Sequence, residues 1–172
     1  MSAYLLSGAE VSPCANYRYR LWRGWDRSRV AICVFVMLNP STADADQDDP
    51  TIRRCVTFAK RLGCTGIEVI NLFAWRATSP KELLAVGPER DPCGPGNQRA
   101  FLDALAHPKM IVCAWGAHGT HLGQDQTALG WIDQYNDRGA PVIALGLTKE
   151  GQPRHPLYLP SDAQPIPFGG AA

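Results

Sequence analysis

Residues 30–38 read VAICVFVML, an apolar run without a charge or a turn residue. A run of that length, rich in β-branched side chains, fits a strand buried on both faces, as in the middle of a parallel sheet. It ends abruptly at Asn39-Pro40-Ser41-Thr42, where Pro40 has no N–H to extend a ladder. Ligands of open α/β sheets sit at the carboxyl ends of such strands. This polar turn is therefore either a candidate active-site corner or a strand terminator and nothing more.

Around that strand the chain alternates strand and helix. Residues 17–23, YRYRLWR, alternate basic and bulky side chains with period two and predict a half-exposed strand of an N-terminal hairpin over 4–29. Its arginines would either contact a phosphate backbone or protect a sheet edge, and edge protection is the favoured reading. After the acidic loop Asp44–Asp49, residues 50–62 carry Ile52, Cys55, Val56, Ala59 and Leu62 at helical spacing. Asp49 suits the N-cap, Pro50 the first turn and Gly63 the stop. A second strand follows at 66–71, then a short helix at 80–85 capped by Ser79, and a Pro- and Gly-rich crossover at 86–96. A helix at 97–106, a strand at 109–114, a helix at 125–138 and a strand at 141–145 complete the repeat. The expectation is one domain over 1–172, with hairpin 4–29, core 30–160 and a poorly ordered tail 161–172. Its fold class is α/β, a three-layer α/β/α arrangement with a four-stranded parallel central sheet.

Composition narrows the function classes. A net charge of +1 gives no global attraction to nucleic acid, so any such contact needs a local patch. No apolar run approaches the length of a membrane span and no leader pattern opens the chain, so the expectation is a cytoplasmic protein without membrane contact. The six cysteines include no Cys-x-x-Cys pair, which argues against a zinc ribbon, and they are read as reduced.

The strand ends carry the candidate chemistry. Asn39, Asn71, Trp115-Gly116 and His155 each follow a strand, so in a parallel sheet all four gather at one edge. Asn39 can hold a water, and Asn71 offers a two-way amide matched to the edge of a nucleobase. His155 can donate to an oxygen that becomes negative, and Phe73 and Trp75 lie where a planar ligand would stack. Singly, each is an ordinary turn or core residue; their joint arrival is the signal.

The ordered set Leu38-Asn39-Pro40, Val69-Ile70-Asn71-Leu72-Phe73, Ala114-Trp115-Gly116 and His155-Pro156 resembles the uracil-DNA glycosylase superfamily, over residues 30–158. The wording LNPSTA…DDPT…NLFAWRAT looks closest to an uncharacterised bacterial and phage domain family. The resemblance implies a uracil-DNA glycosylase-like fold and a monomer that flips a base out of single- or double-stranded DNA and cleaves its N-glycosidic bond, with no metal and no cofactor. Asn39, as in the mismatch-specific branch, and His155 would be catalytic. Asn39 would position water and His155 would stabilise the leaving base. Asn71 would read the base, with Pro40, Ser41, Phe73 and Trp115 completing the substrate pocket. Thr42, Arg76, Gly116, His118, Arg154, Leu157 and Tyr158 would meet DNA, Leu157 or Tyr158 as a wedge.

Two departures matter. The strict uracil enzymes have Asp at the position of Asn39, so a carboxylate base is missing there. They have Tyr where Ser41 stands, so the pocket here should be roomier. The implied substrate is a mismatched, deaminated or C5-substituted pyrimidine, removed in repair or in defence against phage with modified DNA. Two other classes remain open. Asp44, Asp46, Asp48 and Asp49 could bind magnesium for phosphodiester or nucleotide hydrolysis, or one of them could activate the water. A non-catalytic nucleic-acid-binding module would keep the cleft without turnover.

Overall fold

The structure, a computed structural model, describes residues 4–27, 30–87 and 89–169. In chain order the elements are β1 (Leu6–Val11), β2 (Arg18–Gly24), β3 (Ile32–Met37), α1 (Pro50–Arg61), β4 (Gly66–Asn71) and α2 (Pro80–Leu84). They continue with α3 (Asn97–Leu105), β5 (Met110–Cys113), α4 (Gln124–Tyr135), β6 (Val142–Ala144) and β7 (Ile166–Pro167). Short 3₁₀ segments cover Ala117–Gly123 and Pro156–Tyr158. The fold is mixed α/β, built on a seven-stranded sheet in the order β1-β2-β4-β3-β5-β6-β7. The four inner strands β4-β3-β5-β6 run parallel, and the outer pairs are antiparallel.

β3 lies at the centre because both of its faces are apolar. Cys33, Phe35 and Met37 pack with Ile67 and Val69 of β4 against Ile52, Cys55, Val56 and Ala59 of α1. Val34 and Val36 point the other way, with Ile70, Ile111 and Cys113, onto Phe101, Ala104 and Leu105 of α3 and Ala128 and Ile132 of α4. Each Val, Leu, Ile, Phe or Met side chain among them contributes about 1.5–3 kcal/mol when fully removed from water. The caps follow the sequence signals. Asp49 accepts the Ile52 N–H at 2.8 Å, and Gly63 takes φ +70° just past α1. Ser79 accepts the Glu82 N–H at 3.3 Å.

Three expectations need correction. First, β2 is not an edge strand, because β1 covers one side of it and β4 the other. Its arginines are bonded within the protein rather than left along an open edge. Arg18 and Arg23 are buried, and Arg20 pairs with Glu68 at 2.5 Å. Second, the sheet has seven strands rather than four plus a separate hairpin, since β2 joins it through β4. Third, the tail carries a strand, because Ile166 and Pro167 pair with β6; residues 170–172 lie outside the described residues. Also outside are 1–3, residues 28 and 29 of the expected hairpin, and Pro88 of the crossover. Element ends retreat by a few residues, and Val30, 78% exposed, precedes β3. No helix among the described residues is long and apolar enough to cross a membrane.

Candidate active site

The carboxyl ends of β3, β4 and β5 open on a cleft of about 680 Å³. Most of the residues picked from the sequence line it: Asn39, Ser41, Thr42, Asn71, Trp115, Gly116, His118, Arg154, His155, Leu157 and Tyr158. Pro40, Phe73 and Arg76 do not. Pro40 is buried and its carbonyl accepts the Ala77 N–H at 3.0 Å, while Phe73 lies wholly within the α3 side of the core. Arg76 reaches instead to the Ala15 carbonyl at 3.3 Å. The reason for Phe73 is the turn after β4. The Leu72 and Phe73 N–H groups bond to the Met37 and Leu38 carbonyls and continue the ladder, so Phe73 stays packed rather than facing the opening.

Asn39 has its amide nitrogen committed, donating to the carbonyls of Ala77 at 2.9 Å and Pro40 at 3.1 Å. Those bonds fix the side chain and leave its Oδ1 to accept from a water. Asn71 differs. It is 1% exposed, and among the described residues neither its Oδ1 nor its Nδ2 has a protein partner. Native proteins pair nearly all buried polar groups, so a buried orphan amide at a cleft calls for an explanation by function. Its backbone is held in place by Asn97, whose Nδ2 donates to the carbonyls of Asn71 at 3.0 Å and Leu72 at 3.2 Å.

If Asn71 is kept for a ligand, it weakens the empty protein. Asn71→Leu, of similar volume, removes both orphan atoms and is expected to stabilise the fold by about 1–3 kcal/mol. A urea titration showing a higher midpoint at unchanged slope checks this; a lower midpoint would mean that the amide is already satisfied.

His155 caps the 3₁₀ turn that follows it, its Nδ1 accepting the Leu157 N–H at 3.2 Å. With Nδ1 an acceptor, the neutral ring carries its proton on Nε2 and can donate it. Burial pushes the imidazole below its ordinary value, against a weaker upward pull from Asp49, which favours that neutral form. The loop is fastened to α1, because Arg54 donates to the carbonyls of Pro156, at 3.5 Å, and Leu159. Leu157 and Tyr158 stand exposed at the rim, at 40% and 70%.

Trp115 forms wall rather than platform. Its indole is 2% exposed and donates to Gln152 Oε1 at 2.7 Å, and Gly119 lies so close to the ring that a Cβ would collide with it. Gly116 turns the chain here at φ +76°, a conformation that favours glycine.

The acidic loop is divided among other tasks. Asp44 Oδ1 accepts the N–H groups of Asp46 and Gln47, and Asp48 binds Arg23 and Tyr4. Among the described residues no group of three or more His, Cys, Asp or Glu side chains is placed to hold a metal. Only Asp49 of this loop lines the cleft. The sequence reading missed Arg18, buried and cleft-lining, and missed Asn97. Arg18 looked like one of several surface arginines, and Asn97 like an ordinary helix start.

No curated protein matches the chain. Among solved structures, the hetero-hexameric glutamate dehydrogenase of Thermus thermophilus, in its leucine-bound form, is similar at 16% identity and a TM-score of 0.35, over 77% of this chain. The chain spans 30% of that dehydrogenase's length. The model of a family described as "Protein of unknown function (DUF1643)" matches residues 18–157, and the chain belongs to that DUF1643 family.

Proposed function

We propose that this protein is a DNA glycosylase, a hydrolase that flips a modified or mismatched pyrimidine into the cleft and cleaves its N-glycosidic bond. The observation that carries this reading is the orphan amide of Asn71 at the floor of a cleft that also holds Asn39 and His155. An unpaired buried donor and acceptor on one side chain match the paired donor and acceptor of a base edge. On this reading the fold is a three-layer α/β/α, uracil-DNA glycosylase-like one, working as a cytoplasmic monomer in repair or in defence against phage with modified DNA.

The chemistry runs from the residues. The bond from C1′ to the base nitrogen breaks with its electron pair moving onto the base, and the Nε2–H of His155 donates to the base oxygen where that charge collects. A water accepted by Asn39 Oδ1 adds its oxygen to C1′. Its proton needs a base that Asn39 is not, and Asp49 is the carboxylate among the lining residues. Ser41 and Thr42 lie where phosphates would pass, and exposed Leu157 and Tyr158 suit a wedge in the vacated stack.

The test is incubation with duplex and single-stranded oligonucleotides carrying uracil, mismatched thymine, C5-modified cytosines or normal bases, with and without EDTA. Alkaline cleavage at an abasic site, indifferent to EDTA and reduced about 100- to 10,000-fold by Asn39→Ala, is the expected result. Direct strand cleavage that requires magnesium would favour a hydrolase of the acidic loop instead. DNA binding without product from any substrate would favour a binding module.

A further inference from the structure

Two cleft-lining residues carry buried polar atoms without a partner: Asn71, and Arg18 through its Nε. Arg18 reaches the cleft through an irregularity in β2. The register against β1 shifts there, so that Glu10 faces Arg20 while Val11 faces Arg18. Tyr19 is the extra residue, a β-bulge. Tyr19 packs with Ala74 and Ala100, whereas Leu21 packs in the core beside α1. The bulge returns Arg18 to the α1 side, where its Nη1 donates to the Ala43 carbonyl at 2.6 Å.

The environment of this cation is unusual. Arg18 is 3% exposed, yet among the described residues it makes no ion pair. Arg23 on the same strand, equally buried, has Asp48 at 2.8 Å. Asp49 and Asp44 act on Arg18 only from beyond ion-pair distance, while each also accepts backbone N–H groups, Asp49 in the cap of α1 and Asp44 in its own turn. Burial pulls the guanidinium down to about 10, which still leaves it charged at neutral pH. A buried charge without a direct ion-pair partner is costly, and a neutral ligand carbonyl would satisfy its N–H but not its charge. An anionic ligand group satisfies both, with a charge-assisted hydrogen bond roughly twice as strong as a neutral one. Arg18 is too deep to serve the DNA backbone, whose expected contacts Thr42, Arg154 and Tyr158 are exposed. It addresses what enters the cleft.

We infer that Arg18 and Asn71 form one subsite for a flat heterocycle that pairs its amide edge with Asn71 and presents an anionic substituent, such as a carboxylate, to Arg18. The choice of a base as the heterocycle rests on the glycosylase reading; the anionic group rests on Arg18. The subsite thereby sets the substrate class as a pyrimidine with an acidic substituent.

The test measures free-base binding to the full chain by calorimetry, with no turnover involved. The probes are uracil, uracil-5-carboxylate and uracil-6-carboxylate, with acetate and inorganic phosphate as simple anions. One carboxylated base is expected to bind about ten- to a hundredfold more tightly than uracil. Arg18→Met should erase that preference, and Asn71→Leu should weaken the carboxylated base and uracil alike. Equal affinities in the unmodified protein overturn the subsite without recourse to any variant. So does a preference that survives in folded Arg18→Met, or acetate or phosphate binding as tightly as the carboxylated base. Failure of the glycosylase reading looks different, because a carboxylated base would bind with its preference intact while no oligonucleotide gave an abasic site. Excision of neutral bases without preference for acidic ones would overturn the subsite and leave the glycosylase.

Discussion

Arg23→Met is expected to destabilise the protein by about 3–5 kcal/mol, the usual consequence of removing one partner of a buried ion pair. Arg23 is 1% exposed and bonds Asp48 Oδ1 at 2.8 Å, the Asp44 carbonyl at 2.6 Å and the Trp22 carbonyl at 2.9 Å. Methionine fills much of the same volume, so the loss is electrostatic and not a cavity. Among the described residues Asp48 would keep the Tyr4 hydroxyl alone, at 2.5 Å, a phenol that burial and the neighbouring carboxylate already push up to about 12. A loss of that size is a large share of the stability of a typical domain. Urea melts check it, and the second variant is informative. Arg23→Met with Asp48→Leu should recover most of the loss, because replacing both charges by apolar groups is often neutral. A double variant as unstable as the single would mean that the backbone bonds of Arg23, not the pair, hold the acidic loop. That loop ends in Asp49, so its loosening would reach both the α1 cap and the cleft.

His155→Ala carries the second large effect. On the glycosylase reading, loss of one preorganised donor to the developing charge lowers the excision rate by about 100- to 1,000-fold while DNA binding is retained. Single-turnover kinetics separate the two quantities. A fall in binding with an unchanged chemical step would make His155 a part of the DNA interface instead. The pH profile adds an independent sign. Burial holds the folded-state imidazole below its ordinary 6.5. Above 6.5 the ring is neutral in both the folded and the unfolded chain, and the stability that goes with that form is fully present. As pH falls below 6.5 the unfolded chain binds a proton first, and this stability is lost until the folded ring also titrates. Protonation there would put a proton on Nδ1 and break its bond from Leu157. The melting temperature should therefore fall more steeply below 6.5 in the unmodified protein than in His155→Ala. Parallel curves would remove His155 as the titrating group.

How much of this was legible beforehand depends on the range of the interaction concerned. Local physics determined the elements themselves. The apolar run through β3 fits a doubly buried strand, and Asp49-Pro50 and Ser79-Pro80 set helix starts because a cap is decided within four residues. Strand–helix alternation then implied a parallel core, and a parallel core brings strand ends to one edge. The parallel pairing is why Asn39, Asn71, Trp115 and His155, distant in sequence, fall on one cleft.

Tertiary structure decided what each of those residues is free to do. Period two marked 17–23 as a half-exposed strand, but pairing to both β1 and β4 buried Arg18 and Arg23, and a one-residue bulge set which face Arg18 takes. Phe73 and Trp115 are aromatic at the right places in the chain, and only packing shows one fully in the core and the other with its indole N–H occupied. The amides of Asn39 and Asn71 look the same in sequence. One is spent on backbone carbonyls and the other is left empty, because hydrogen-bond satisfaction depends on the carbonyls that the fold brings within reach. The sequence by itself thus determined where polar groups converge, while the long-range contacts determined which of them still have a bond to give.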